Sequence, residues 1–201
     1  MSYYLSRFTG QTALGLNTTQ VWTINAVLIA VLIICFVTDW KKGKILNVVT
    51  FPAMLAGLLL NGLFGQSTMG DGTGFLWALL GWAVGMGIQW VPFMLGFAKA
   101  GDVKLLAAVG ALKGWSFCLF GFLYGAIAFS LLLPWLAKKG ELSGVVQNIK
   151  TYAQVAVATQ GAPETPQPTV KRHLPWGPGL VVGFFIALLL ELTLGKPFWF
   201  F

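Results

Sequence analysis

The chain alternates between long apolar runs and short polar breaks. Runs at 21–38, 48–64, 75–97, 116–137 and 177–195 each approach the roughly 20 apolar residues that carry a helix across a bilayer. A shorter apolar run lies at 103–112, followed by Lys113-Gly114-Trp115. The pattern predicts an all-α polytopic membrane protein, a six-transmembrane-helix bundle with a short fourth helix. Pro52 falls near the start of the second run, where a helix tolerates it. Four parts follow: an extracytoplasmic segment at 1–20, a five-helix part at 21–137, a cytoplasmic loop at 138–176, and a sixth helix with an aromatic end at 177–201. Within the loop, 145–157 is a candidate amphipathic helix, and the Pro-rich stretch 162–168 is expected to be extended. Residues 1–20 are polar and mixed, with Arg7 as their only charge, and do not read as a secretory signal.

Composition sharpens the class. Hydrophobic residues make up 57% of the chain and charged residues 9%, against about 25% charged in an ordinary soluble domain. That balance excludes a disordered chain, a coiled coil and a soluble nucleic-acid-binding domain. Cys35 and Cys118 both sit in apolar runs, and no CxxC pair exists, so buried structural thiols are expected and no metal or cofactor.

The net charge of +7 reads as topology. Lys41, Lys42, Lys44, Lys99, Lys104, Lys138, Lys139, Lys150, Lys171 and Arg172 fall in alternate breaks and account for ten of the 13 basic residues. Positive charge collects on the cytoplasmic side, which sets those breaks in the cytoplasm and both chain ends outside. Membrane lipid is the expected surrounding partner, and nucleic acid is not expected. Gly81/Gly85, Gly110/Gly114 and Gly121/Gly125 are small-xxx-small pairs that permit close helix approach.

The chain has six acids. Glu141 and Glu164 lie in the long loop and Asp71 in a Gly-rich turn. Glu191 lies in the last run, where an acid is a functional candidate by default, although Lys196 is close in sequence. His173, the single His, stands in a basic stretch without visible partners. Asp39 and Asp102 remain. Both fall at the cytoplasmic edge of a run, at one depth. Two carboxylates sharing a site resist ionising together, so the pair holds one proton between them. The ionised member can then take a proton from water while the other polarises a carbonyl, which is peptide hydrolysis by an aspartic dyad. Plainer readings exist: Asp39 as an ordinary charged boundary, Asp102 as a helix N-cap.

The surrounding residues add a resemblance. Asp39-Trp-Lys-Lys-Gly-Lys-Ile-Leu-Asn47, followed by Val-Val-Thr50, resembles the first signature of the type IV prepilin peptidases. Lys99-Ala-Gly-Asp-Val-Lys-Leu-Leu-Ala-Ala108 is similar to their GxGD segment, and Leu174-Pro-Trp-Gly-Pro178 to the element before their last helix. The resemblance covers about residues 21–195. It implies a membrane-embedded aspartic endopeptidase of the bacterial cytoplasmic membrane, with Asp39 and Asp102 catalytic and Gly101, Lys104 and Asn47 in support. Its substrates would be prepilins or pseudopilins, cut of a short basic leader at the cytoplasmic boundary. The lack of CxxC pairs resembles the short, peptidase-only forms of tight-adherence systems, and methyl transfer is not implied.

If Asp102 opens the fourth helix and Asp39 closes the first, the helix dipoles favour Asp102 as the ionised base and Asp39 as the proton holder. Lys104, two residues from Asp102, reads as an interfacial anchor, and Asn47 as a cap for the second helix or a neighbour of Asp39. Two positions depart from the family pattern: Leu46 replaces a Pro and Lys99 a Gly. A Lys at 99 would be strained if the backbone there needed positive φ, and its charge would stand near Asp102. A catalytically inactive assembly protein and a proton-coupled transporter are the alternative readings.

Overall fold

The computed structural model describes residues 18–64, 74–94, 98–138 and 176–194. Those residues form six helices and no strand: α1 (Thr18–Lys42), α2 (Asn47–Phe64), α3 (Phe75–Met94), α4 (Ala100–Lys113), α5 (Trp115–Lys138) and α6 (Trp176–Leu194). The expectations for Arg7, Asp71, Glu141, Glu164, His173, Lys196, 145–157 and 162–168 lie outside the described residues.

The observed helices track the apolar runs, with one shift that matters. α1 continues a full turn past the apolar run and carries Asp39 in its last turn. Lys41 and Lys42 at its carboxyl end suit the negative pole of the helix. Gly43, at φ 63°, then stops it, its N–H donating to the carbonyl of Asp39 at 2.8 Å. Only a residue without a Cβ takes that left-handed conformation freely.

Five helices close a ring in the order α1, α2, α3, α5, α6 and back to α1, with α4 inside it. The sequence of α4 explains its place. From Val103 to Leu112 it is apolar on every side except Lys104, and a helix without a polar face belongs in an interior. All of Leu105 to Leu112 is buried. At fourteen residues it is about 21 Å long, short of a hydrocarbon core of about 30 Å.

Close packing is made by the small residues. A Cβ on Gly81 would collide with the backbone of Gly110, and one on Gly85 with the carbonyl of Leu106, so α3 lies directly against α4. Gly121 faces the Phe184 ring, and a Cβ on Gly183 would collide with the backbone of Gly125, which joins α5 to α6. Between apolar helices in lipid, such contact and interhelical hydrogen bonds replace the hydrophobic drive. Asn61 supplies bonds of this kind, donating to the carbonyls of Ala111 and Leu112 at 3.1 and 3.2 Å. Cys35 and Cys118 are free and buried, as thiols in apolar packing.

At the end of the bundle away from Asp102, Lys113 ties three helices together. Its Nζ donates to Asn25 Oδ1 at 2.9 Å and to Glu191 Oε1 at 2.8 Å, and rests 5.2 Å from the Phe117 ring centre. Glu191 therefore has a partner within the bundle from α4, a structural ion pair that its sequence neighbourhood did not suggest.

The outer faces of the ring are apolar. Val48, Leu55 and Leu63 on α2, Ile127 and Leu131 on α5, and Leu189 on α6 are all exposed. Trp22–Lys42 and Phe75–Met94 are long and apolar enough to cross a membrane, and Asn47–Leu63, Trp115–Leu131 and Gly177–Thr193 are shorter apolar helices. Together these surfaces describe a helical membrane protein.

Candidate active site

Asp102 is the third residue of α4. Lys99 precedes the helix and its N–H donates to Asp102 Oδ2 at 2.9 Å, while the Asp102 N–H donates to the Lys99 carbonyl at 3.0 Å. This is the reciprocal bonding of a helix start, with the acid reaching back to the preceding amide. The N-cap position itself belongs to Lys99, so Asp102 is not the cap. Lys99 has φ −94° and ψ 155°, extended backbone open to any residue. The strain expected from a Lys in place of a Gly is therefore absent.

Asp39 comes to the same place from α1. Asp39 is 6% exposed and Asp102 1%. The third wall is the first turn of α6. A Cβ on Gly177 would overlap Oδ2 of Asp39 and stand 3.5 Å from Oδ1 of Asp102. The other oxygen of each acid faces Lys99: Oδ2 of Asp102 accepts its N–H, and Oδ1 of Asp39 lies 3.7 Å from its Nζ. The two carboxylates thus stand between Gly177 on one side and Lys99 on the other, brought together by α1, α4 and α6. The Lys99 ammonium pairs with Asp39 and with the carbonyl of Gly43 at 3.1 Å, so its charge stands beside the two acids, as the sequence led one to expect. A cation beside Asp39 opposes the negative pole of α1, so helix dipoles alone do not decide which acid keeps the proton.

The supporting residues divide. Gly101 is tightly placed, since a Cβ there would stand 2.9 Å from Cβ of Ile45. Lys104 and Asn47 do not join the acids. Lys104 Nζ donates to Asn47 Oδ1 at 2.9 Å and lies 5.2 Å from the Phe51 ring centre. Nor is Asn47 the cap of α2. The Leu46 carbonyl takes the first helical bonds, from Val49 at 3.1 Å and Thr50 at 3.2 Å, so Leu46 holds that position. A Pro or a Leu supplies the same carbonyl there, which makes this departure locally neutral.

The residue that sequence reasoning passed over is Gly177. Its signal was the Pro-Trp-Gly-Pro element, read there only as a helix start.

A buried pair of carboxylates at one end of an apolar helical bundle defines a class, that of helical proteins that bring two acids into one site. A sequence model described as the type IV leader peptidase family matches residues 26–134, more than half of the chain, and the protein belongs to that family. It is in general terms a leader-peptidase-type aspartic protease. The matched stretch contains both acids, whereas Gly177 lies beyond it. No curated protein and no solved structure matches the chain.

Proposed function

We propose that Asp39 and Asp102 are the catalytic pair of this peptidase. Its substrates on this reading are prepilins or pseudopilins, cut of their short basic leader at the cytoplasmic face of the bacterial inner membrane. The observation that carries the reading is the convergence of both carboxylates, from α1 and α4, on Gly177 of α6.

The bundle would cross the membrane six times with both chain ends outside, in the four-part organisation of 1–20, 21–137, 138–176 and 177–201. The acids then lie at the depth where a basic leader in the cytoplasm meets an apolar pilin helix. One proton is shared by the pair. The ionised carboxylate accepts a proton from water, whose oxygen attacks the scissile carbonyl carbon, while the protonated one hydrogen-bonds the carbonyl oxygen. Collapse of the tetrahedral intermediate breaks the C–N bond, and a proton from the pair passes to the departing amine. Lys99 holds the frame by binding one acid through its amide and the other through its ammonium.

The test is co-expression with a panel of candidate prepilins, read by the mass of the pilin. Wild type shortens its substrate by the leader, and Asp39→Asn and Asp102→Asn each abolish the shortening while remaining folded in the membrane. Full cleavage by either variant would remove that acid from the mechanism. Flux in vesicles without cleavage would favour the transporter reading.

A further inference from the structure

Beyond the two acids, the described residues include buried polar side chains that nothing in the fold uses. Gln89 is the most isolated. It is 0% exposed, and neither its Nε2 nor its Oε1 has a hydrogen-bond partner among the described residues. Thr50, also 0% exposed, has an unpartnered Oγ1.

The register of α3 on α4 fixes the level of Gln89. Gly81 abuts Gly110, and Gly85 abuts Leu106. Each step of four along α3 is matched by a step of four back along α4, so Gln89 stands at the level of Asp102. It follows Gly81 and Gly85 on the buried stripe of α3. On α2, Thr50 lies between Ile45, which abuts Gly101, and Gly57, which abuts Ala111. Both unused polar groups therefore belong to the half of the bundle that holds the acids.

We propose that the Gln89 carboxamide binds the unwound backbone of the substrate beside the scissile bond, with Thr50 as a second, weaker point of attachment. The proposal rests on the protease reading above. A peptide bond inside a helix is sterically closed to attack, so the substrate must be extended where it is cut. Unwinding at membrane depth releases backbone N–H and C=O groups that lipid cannot satisfy. A carboxamide carries both a donor and an acceptor, the complement of the amide so exposed. The free protein, in turn, gains nothing from an amide desolvated without a partner. An apolar side chain of similar volume would fill the slot at lower cost. Gln89 in the resting enzyme and an unwound substrate each lack what the other offers.

Gln89→Met keeps the side-chain volume and removes both polar groups. Full-length wild type, Gln89→Met and Asp102→Asn are assayed in membranes against a prepilin panel, with thermal midpoints measured in detergent. The expected result is a kcat/KM for leader removal lowered about tenfold or more, with a thermal midpoint unchanged or raised. Undiminished cleavage by Gln89→Met beside an active wild type would overturn the role of Gln89 and leave the protease reading intact. Reduced cleavage with a lowered midpoint would also overturn it, by revealing a structural bond. If wild type is as inert as Asp102→Asn on every prepilin, the protease reading falls, and the role of Gln89 with it.

Discussion

Gly177 sets the spacing of the carboxylate pair although it has no side chain. The first turn of α6 passes so close to Asp39 that even a methyl group has no room. Gly177→Ala should displace Asp39 by about an ångström, and misplacement on that scale costs on the order of 100-fold in rate. Gly179→Ala is the matched control on the same turn. Its Cβ would stand 3.3 Å from Cβ of Phe129, close but away from both acids. Pilin mass after co-expression reads both: lost cleavage in Gly177→Ala, near-normal cleavage in Gly179→Ala. The acids themselves were legible in the sequence, because a carboxylate at the edge of an apolar run is rare enough to stand out. Their glycine neighbour was not. Its role depends on a contact across most of the chain length, and glycine is the commonest way to punctuate any turn. That Lys99 brings positive charge to the pair was legible too; which of the two acids its ammonium meets was not, because the reach of a flexible four-carbon stem is decided by three-dimensional placement.

Among the elements, α4 has the most to hold in place. It carries Asp102 at one end and Lys113 at the other, each suited to its pole of the helix. The Lys113–Glu191 pair, at 2.7 Å, fastens its carboxyl end to α6, the helix whose opposite end supplies Gly177. Lys113→Met removes this partner from the half-buried Glu191 and should lower stability by on the order of 1–3 kcal/mol. Adding Glu191→Leu should restore a large part of that loss. Thermal unfolding of the single and double variants in detergent measures the coupling. The shortness of α4 was readable from its apolar run, and its interior position follows from the lack of a polar face. The pairing of Lys113 with Glu191 was not readable, because the two are 78 residues apart and only the packing of α4 on the ring brings them together. Helix ends were read to within a few residues. The exception at α1 arose because charged residues after an apolar run look like a loop, when lysines are also favoured in a last helical turn.

For the molecule as a whole, the outward surface separates a membrane bundle from a soluble one. Leu55, midway along α2 and 58% exposed, faces the surroundings. In a soluble protein an Arg there would be harmless. In lipid it should cost about 2.5–3.5 kcal/mol of insertion free energy at the centre of a span. Leu55→Arg should therefore deplete the protein from the membrane fraction, whereas Trp40→Arg, exposed beside Lys41 at the end of α1, should leave it there. Quantitative membrane fractionation distinguishes these outcomes.

The enclosure of α4 has a bearing on the lipids themselves. Membranes differ in thickness, and a helix that faces lipid answers a mismatch by tilting or by deforming the bilayer around it. α4 is ringed by protein and presents no midsection to the acyl chains. On the proposed six-span topology, a thicker or thinner bilayer would act on the five surrounding helices and reach α4 only through its packing. In that arrangement the acid on the enclosed helix would be buffered against lipid composition, while Asp39 and Gly177 would ride on helices that adjust to it.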